Sequence, residues 1–207
     1  MNRELTVIGV DVGGPRKGFH AVALTGKVFS KHACSGPAEV AAWCRDVGAV
    51  AVGVDAPCGW SASGMARQAE RDLRINGERI HCFATPTLKR ARQSQADFYG
   101  WVFNGMKLYD ELRKHYPLFA GDGSVRPLCF ETFPQAVACA LAGRTVSAKH
   151  KATVRRHILS EQGYDHSALK NIDFIDAALC ALAAERLLQK TVVHFGHPDE
   201  GFIVIPA

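Results

Sequence analysis

Three stretches of the chain are apolar almost without interruption, and each carries an acid near its end. Residues 5–12 (LTVIGVDV) run to Asp11, residues 49–55 (AVAVGVD) to Asp55, and residues 128–133 (LCFETF) hold Glu131. Such runs, rich in β-branched residues and lacking polar alternation, read as strands buried on both faces. Gly13, Gly14 and Pro15 turn the chain after the first run. Residues 18–24 and 27–32 then read as two more strands joined through Thr25-Gly26, so the first three form an antiparallel meander. Pro37 opens a helix to about Asp46 with Val40, Ala41 and Cys44 on one face, since proline loses no hydrogen bond in a first turn. Pro134 ends the Glu131 strand and starts a helix to about Ala142. Ser147 is placed to cap a helix ending at Gly163, Asn171 caps a long one over 172–188, and residues 202–205 can form a short late strand. Strands alternating with helices predict an α/β protein.

Residues 60–126 are less regular and read as a helical insertion after the fourth strand, with helices near 63–76 and 97–116. The second is aromatic, with Phe98, Tyr99, Trp101, Phe103 and Tyr109; these rings suit packing against the sheet or stacking on bases. No repeat or linker divides the chain, so its 207 residues predict a single domain, 1–207. Hydrophobic residues at 47% and charged ones at 22% are ordinary for a globular protein, which excludes a fibre or a disordered chain. The seven cysteines are odd in number and none are spaced C-x-x-C, which argues against structural zinc and for a reducing, cytoplasmic setting. No apolar run is long enough for a membrane span or an export signal.

The acids change the picture. One strand-end Asp is a common turn residue. Asp11, Asp55 and Glu131 on three strands are harder to treat so, because parallel neighbours bring their C-terminal ends to one sheet edge. The last helix adds Asp173 and Asp176, spaced i, i+3 on one face. Asp173 also suits the positive end of that helix. Asp176 lies between Ile175 and Ala177 in an apolar run and needs a cation or several donors. Oxygen ligands at this density suit Mg²⁺ or Mn²⁺, the ions of two-metal phosphodiester hydrolysis. Asp11, Asp55 and Asp176 are the expected metal ligands, with Glu131 and Asp173 as a further ligand or general base. In such a cluster, Asp176→Asn would leave the metal-free fold no weaker.

This pattern resembles the RNase H-like superfamily and its RuvC-like resolvases: an Asp on the first strand, an acid ending the fourth, and a closing helix D-x-x-D-A-L-A-x-A, here DFIDAALCALA. A fuller resemblance is to the DUF429 family of predicted nucleases. It rests on VGVDAP at 52–57, ARQAERDLR at 66–74, FETFPQAVACALAG at 130–143, SAKHKATVRRHIL at 147–159 and the final NIDFIDAALCALAA. The resemblance implies a mixed five-stranded sheet of order 3-2-1-4-5 flanked by helices, and a magnesium- or manganese-dependent nuclease.

A net charge of +5 permits a polyanionic partner without requiring one. Arg67, Arg71 and Arg74 in the insertion, with Lys149, Lys151, Arg155 and Arg156 on the 147–162 helix, are candidate phosphate contacts; a solvated helix face is the alternative. The resulting expectation is a nuclease acting on nucleic acid, DNA or RNA. The rival is a catalytically inactive RNase H-like binding or scaffold protein. The glycine-rich turn after Asp11 also suits an actin-like ATPase, but that architecture needs two domains, and the chain is too short for them.

Overall fold

The computed structural model describes residues 4–94, 97–122 and 126–207. The N-terminal meander forms as the pattern predicts: β1 (Thr6–Val12), β2 (Phe19–Thr25) and β3 (Val28–Cys34) pair antiparallel. Then come α1 (Pro37–Asp46) and β4 (Ala49–Asp55), which pairs parallel with β1. The insertion holds α2 (Gln68–Asp72), a two-residue-strand hairpin (Arg74–Ile75 with Glu78–Arg79), α3 (Leu88–Arg92) and α4 (Gly100–Leu112). The chain re-enters the sheet at β5 (Leu128–Glu131), parallel to β4. It continues through α5 (Pro134–Leu141), α6 (Lys151–Glu161), α7 (Ile172–Leu188), β6 (Val192–His197) and β7 (Gly201–Pro206).

The large sheet has seven strands, not the five expected, in the order β3-β2-β1-β4-β5-β7-β6. The extra two are a C-terminal antiparallel hairpin whose β7 adds parallel to β5 through the pair Glu131 and Ile203. Only residues 202–205 signalled it, because β6 is an edge strand with mostly partly exposed side chains and shows no buried run. The insertion is also less helical than expected. The helix placed at 63–76 spans only Gln68–Asp72, since Arg67 and Leu73 are extended and Asn76 and Gly77 turn with positive φ. The helix placed at 97–116 is a short 3₁₀ turn followed by Gly100–Leu112. Ser147 does not cap α6; its hydroxyl accepts from the Lys149 N–H one turn earlier, and the helix starts at Lys151.

Strand alternation sorts side chains between two cores. On one face, Ile8, Val10, Val52 and Val54 pack under α1 and α4. On the other, Val7, Val22, Leu24, Ala51, Leu128 and Phe130 pack under α5 and α7. Along α7, Ile175, Leu179, Leu182 and Leu187 are buried, each worth roughly 1.5–3 kcal/mol relative to exposure. Gly9 and Gly53, register partners on β1 and β4, floor this face. A β-carbon on Gly9 would stand 1.9 Å from the Ala177 carbonyl oxygen, and one on Gly53 2.7 Å from that of Cys180. Two bare positions and the small residues Ala177, Cys180 and Ala181 therefore let α7 lie directly on the sheet. Asp11 and Asp55 follow these glycines by two residues, on the same face.

Candidate active site

Asp11 and Asp55 are register partners at the ends of β1 and β4, and the antiparallel pair of Asp11 on β2 is His20. Alternation puts all three on the α7 face. Above them α7 begins at Asn171, whose side chain accepts from the Phe174 N–H at 2.9 Å. That cap fixes the first turn and projects Asp173 and Asp176 toward the strand ends. One ring nitrogen of His20 and a carboxylate oxygen each from Asp11 and Asp173 lie within 4.8 Å of one another. His20 Nδ1 stands 3.9 Å from Asp11 Oδ2, and Nε2 4.0 Å from Asp173 Oδ2. Both gaps are too long for hydrogen bonds, and His20 Nδ1 is buried without a partner among the described residues. Two donors each about 2.1 Å from an ion can span either gap, though the two gaps end on different ring nitrogens and one ion takes only one of them.

The electrostatics are those of crowded acid. Burial, then repulsion from Asp176 and Asp173, raise Asp11 to about 7 against the pull of Lys17 and Lys151. Burial, then Asp11 and Asp176, push Asp55 well above the usual carboxylate range. Burial lowers His20, only partly offset by Asp173, so its imidazole is neutral near pH 7 and has a lone pair to give. Lys17 donates to Asp173 at 2.6 Å; partial burial opposes its charge, but Asp173 and the other acids hold its proton more tightly than usual.

Asp176 is buried and is not an open ligand. Arg155 Nη1 donates to its Oδ1, and Lys151 Nζ lies 3.5 Å from Oδ2. Arg155 is itself buried, and its Nη2 donates at 3.0 Å to Gln135 Oε1, while the Gln135 amide donates to the Val146 carbonyl at 2.6 Å. The expected trio of Asp11, Asp55 and Asp176 therefore shares one face. Among the described residues, however, the acidic group with ligand atoms within 4.8 Å is Asp11, His20 and Asp173.

Glu131 departs further from expectation. Leu128 and Phe130 face α7, so alternation turns Glu131 away from it. Arg67 donates to both its oxygens, at 2.7 and 2.5 Å, and the Cys58 N–H adds a third bond at 2.8 Å. Arg67 Nε donates to Glu70 Oε1 at 2.8 Å, and Glu70 Oε2 accepts from the backbone of Arg67 and Thr85. This network ties the insertion to β5, and it removes Glu131 from the free acids. Two expected phosphate contacts fall for the same reason: Arg67 is 1% exposed and Arg155 5%. Arg156 is half-buried, its guanidinium donating to the carbonyls of Leu169 and Lys170 before α7. Arg71, Arg74, Lys149 and Lys151 remain exposed.

A family model described as a protein of unknown function (DUF429) matches residues 9–200. The chain belongs to the DUF429 family. The matched span runs from Gly9 to Glu200, so the DUF429 region takes in every acid of the site together with the Arg67–Glu131 and Arg155–Asp176 pairs. Neither curated proteins nor solved structures give a significant match. His20, Lys17 and Gln135 were missed from the sequence. His20 had a signal, a polar residue inside the apolar run FHAVALT, which the tight turn before it sets opposite Asp11. Gln135 had none, because its role depends on α6 crossing near α5.

Proposed function

We propose that this DUF429 chain is a nuclease with an RNase H-like core that hydrolyses nucleic-acid phosphodiester bonds using Mg²⁺ or Mn²⁺. The observation that carries the reading is one recessed face holding Asp11, Asp55, Asp173, Asp176 and a neutral His20, with Asp11 raised to about 7 by burial and its acidic neighbours. Mutual repulsion of this kind is what bound divalent cations relieve. The strand order supports the core assignment: the part β3-β2-β1-β4-β5 has an antiparallel meander, then parallel strands, with a D-x-x-D helix across its centre.

The donor set fits the ion. Carboxylate oxygens suit Mg²⁺ and Mn²⁺, and an imidazole beside them favours Mn²⁺. Asp11, His20 and Asp173 would hold one ion, with Asp55 beside Asp11, while Asp176 stays paired with Arg155. Bound there, the metal would orient the attacking water and offset charge on the leaving oxygen. Lys17 holds Asp173 in place beside His20 through its 2.6 Å bond. Arg155 holds the Asp176 carboxylate in place, and exposed Lys149 and Lys151 at the start of α6 can meet the strand's phosphates.

The test is a cleavage panel of single- and double-stranded DNA and RNA with Mg²⁺, Mn²⁺ or EDTA. Cleavage should require metal and vanish in Asp11→Asn. Cleavage unchanged by EDTA, or retained in that variant, would remove the site. One observation favours a second reading, a nucleic-acid-binding protein without activity: Arg155 already neutralises Asp176, as a permanent substitute for metal would. An Arg155→Gln variant that binds Mn²⁺ better than the parent, in a parent that cuts nothing, selects it.

A further inference from the structure

Along the sheet edge the site runs from His20 on β2 through Asp11 on β1 to Asp55 on β4. The next step, between β4 and β5, is a pocket. It is a shallow cleft partly open to solvent, with Asp55, Phe83, Trp101, Thr132 and Phe133 in its walls. Phe83 and Trp101 meet edge to face with centroids 5.0 Å apart, and Phe98, 59% exposed, extends the aromatic surface outward at 5.6 Å from Phe83. Thr132 is 1% exposed, yet its hydroxyl has no hydrogen-bond partner among the described residues. Burying a hydroxyl unsatisfied destabilises a fold, and such a group calls for a partner from outside the chain. Arg67 also borders the pocket, but Glu131 and Glu70 occupy its guanidinium, so no free cation is offered to a phosphate.

We infer that this pocket is a nucleobase subsite, taking one unpaired base beside the phosphate presented to Asp11 and Asp55. The inference rests on the nuclease reading above. Aromatic walls accept the faces and edges of any base, and a hydroxyl both gives and accepts a hydrogen bond, so occupancy selects for an unpaired base rather than for a sequence. A base inside a duplex is stacked and paired and enters only after it is turned out. The preferred substrate is accordingly single-stranded, or carries a loop, an end or a mismatch at the cut.

The experiment measures binding of a short labelled single strand and of its blunt duplex, with Ca²⁺ in place of Mg²⁺ or Mn²⁺, alongside thermal melts. The single strand should bind about tenfold tighter than the duplex, and Trp101→Ala should remove about tenfold of its affinity while leaving duplex binding unchanged. Thr132→Val conserves shape and breaks no bond within the chain, so it should melt at or above the parent's temperature and yet bind the single strand several-fold more weakly. Equal affinity for the two forms, or a folded Thr132→Val with parental affinity, overturns the subsite and leaves the nuclease reading standing. Absence of binding to either form, together with absence of cleavage in the panel above, overturns both.

Discussion

Replacing Asp11 with Asn should stabilise the metal-free protein, by an amount set by pH. Burial first, then the carboxylates of Asp176 and Asp173, move Asp11 from the ordinary 3.8 to about 7. Below about pH 4 its carboxyl is protonated both folded and unfolded, and the substitution changes little. Between there and about pH 7 the unfolded chain gives up a proton that the folded chain keeps. The folded state then binds more protons, so its stability falls as pH rises, by about 1.4 kcal/mol per pH unit. By about pH 8 the loss is complete, at about 4 kcal/mol. Asn has nearly the same volume and no charge, so it escapes that loss; for a chain of this size the gain corresponds to roughly 8–16 °C in Tm. Thermal or urea melts of both proteins in EDTA, at about pH 4 and about pH 8, read the difference directly. Mn²⁺ at a hundredfold excess over Kd should narrow the difference at about pH 8, since a metal held only by the folded parent adds about 2.7 kcal/mol to it and little to the variant. Parallel pH profiles for parent and variant, with no gain at high pH, would refute the crowded-acid description of the site.

Asp176→Asn should behave in the opposite way and destabilise the metal-free protein by about 1–3 kcal/mol, because buried Arg155 loses its charged partner and only part of that loss is offset by relieved repulsion; a variant at least as stable as the parent in EDTA melts would contradict this. Glu131→Gln should be destabilising by about 3 kcal/mol through its two-pronged bond to Arg67, without changing the Mn²⁺-induced rise in Tm; a stable variant that no longer responds to Mn²⁺ would restore Glu131 as a ligand. Reversing Lys149 and Lys151 to Glu should weaken nucleic-acid binding and flatten its salt dependence, by about 0.9 in log-log slope for each duplex phosphate that is no longer neutralised. An unchanged slope assigns that face to solvent.

How far the molecule was legible follows from the range of each interaction. β1, β4 and β5 were visible as uninterrupted apolar runs, because strands covered on both faces leave that mark locally. The Asn171 cap and Pro37 were visible for the same reason: each acts within one helical turn. β6 was not, since an edge strand draws on its neighbour β7 and keeps little pattern of its own. Among the acids, Asp11, Asp55, Asp173 and Asp176 could be placed together because strand register and i, i+3 spacing are short-range rules. Glu131 looked equivalent to them in sequence. What separates it is the parity of its position on β5 and the arrival of Arg67 from the far side of the chain. Arg155 failed similarly: helix periodicity places it beside Lys151 but cannot tell which of the two turns inward to Asp176.

Gly9 and Gly53 also fix when the site can come into being. The trough they floor is made by residues 6–55, while the helix that fills it spans residues 172–188. During synthesis the two glycine-bearing strands emerge early, and Asp11 and Asp55 then face water without Asp173 or Asp176 above them. Asp173 and Asp176 join them only once most of the polypeptide has left the ribosome and α7 has settled onto bare backbone. A nascent chain still tethered to its messenger RNA therefore carries the strand acids apart from those of α7, and the four come together only as the fold completes.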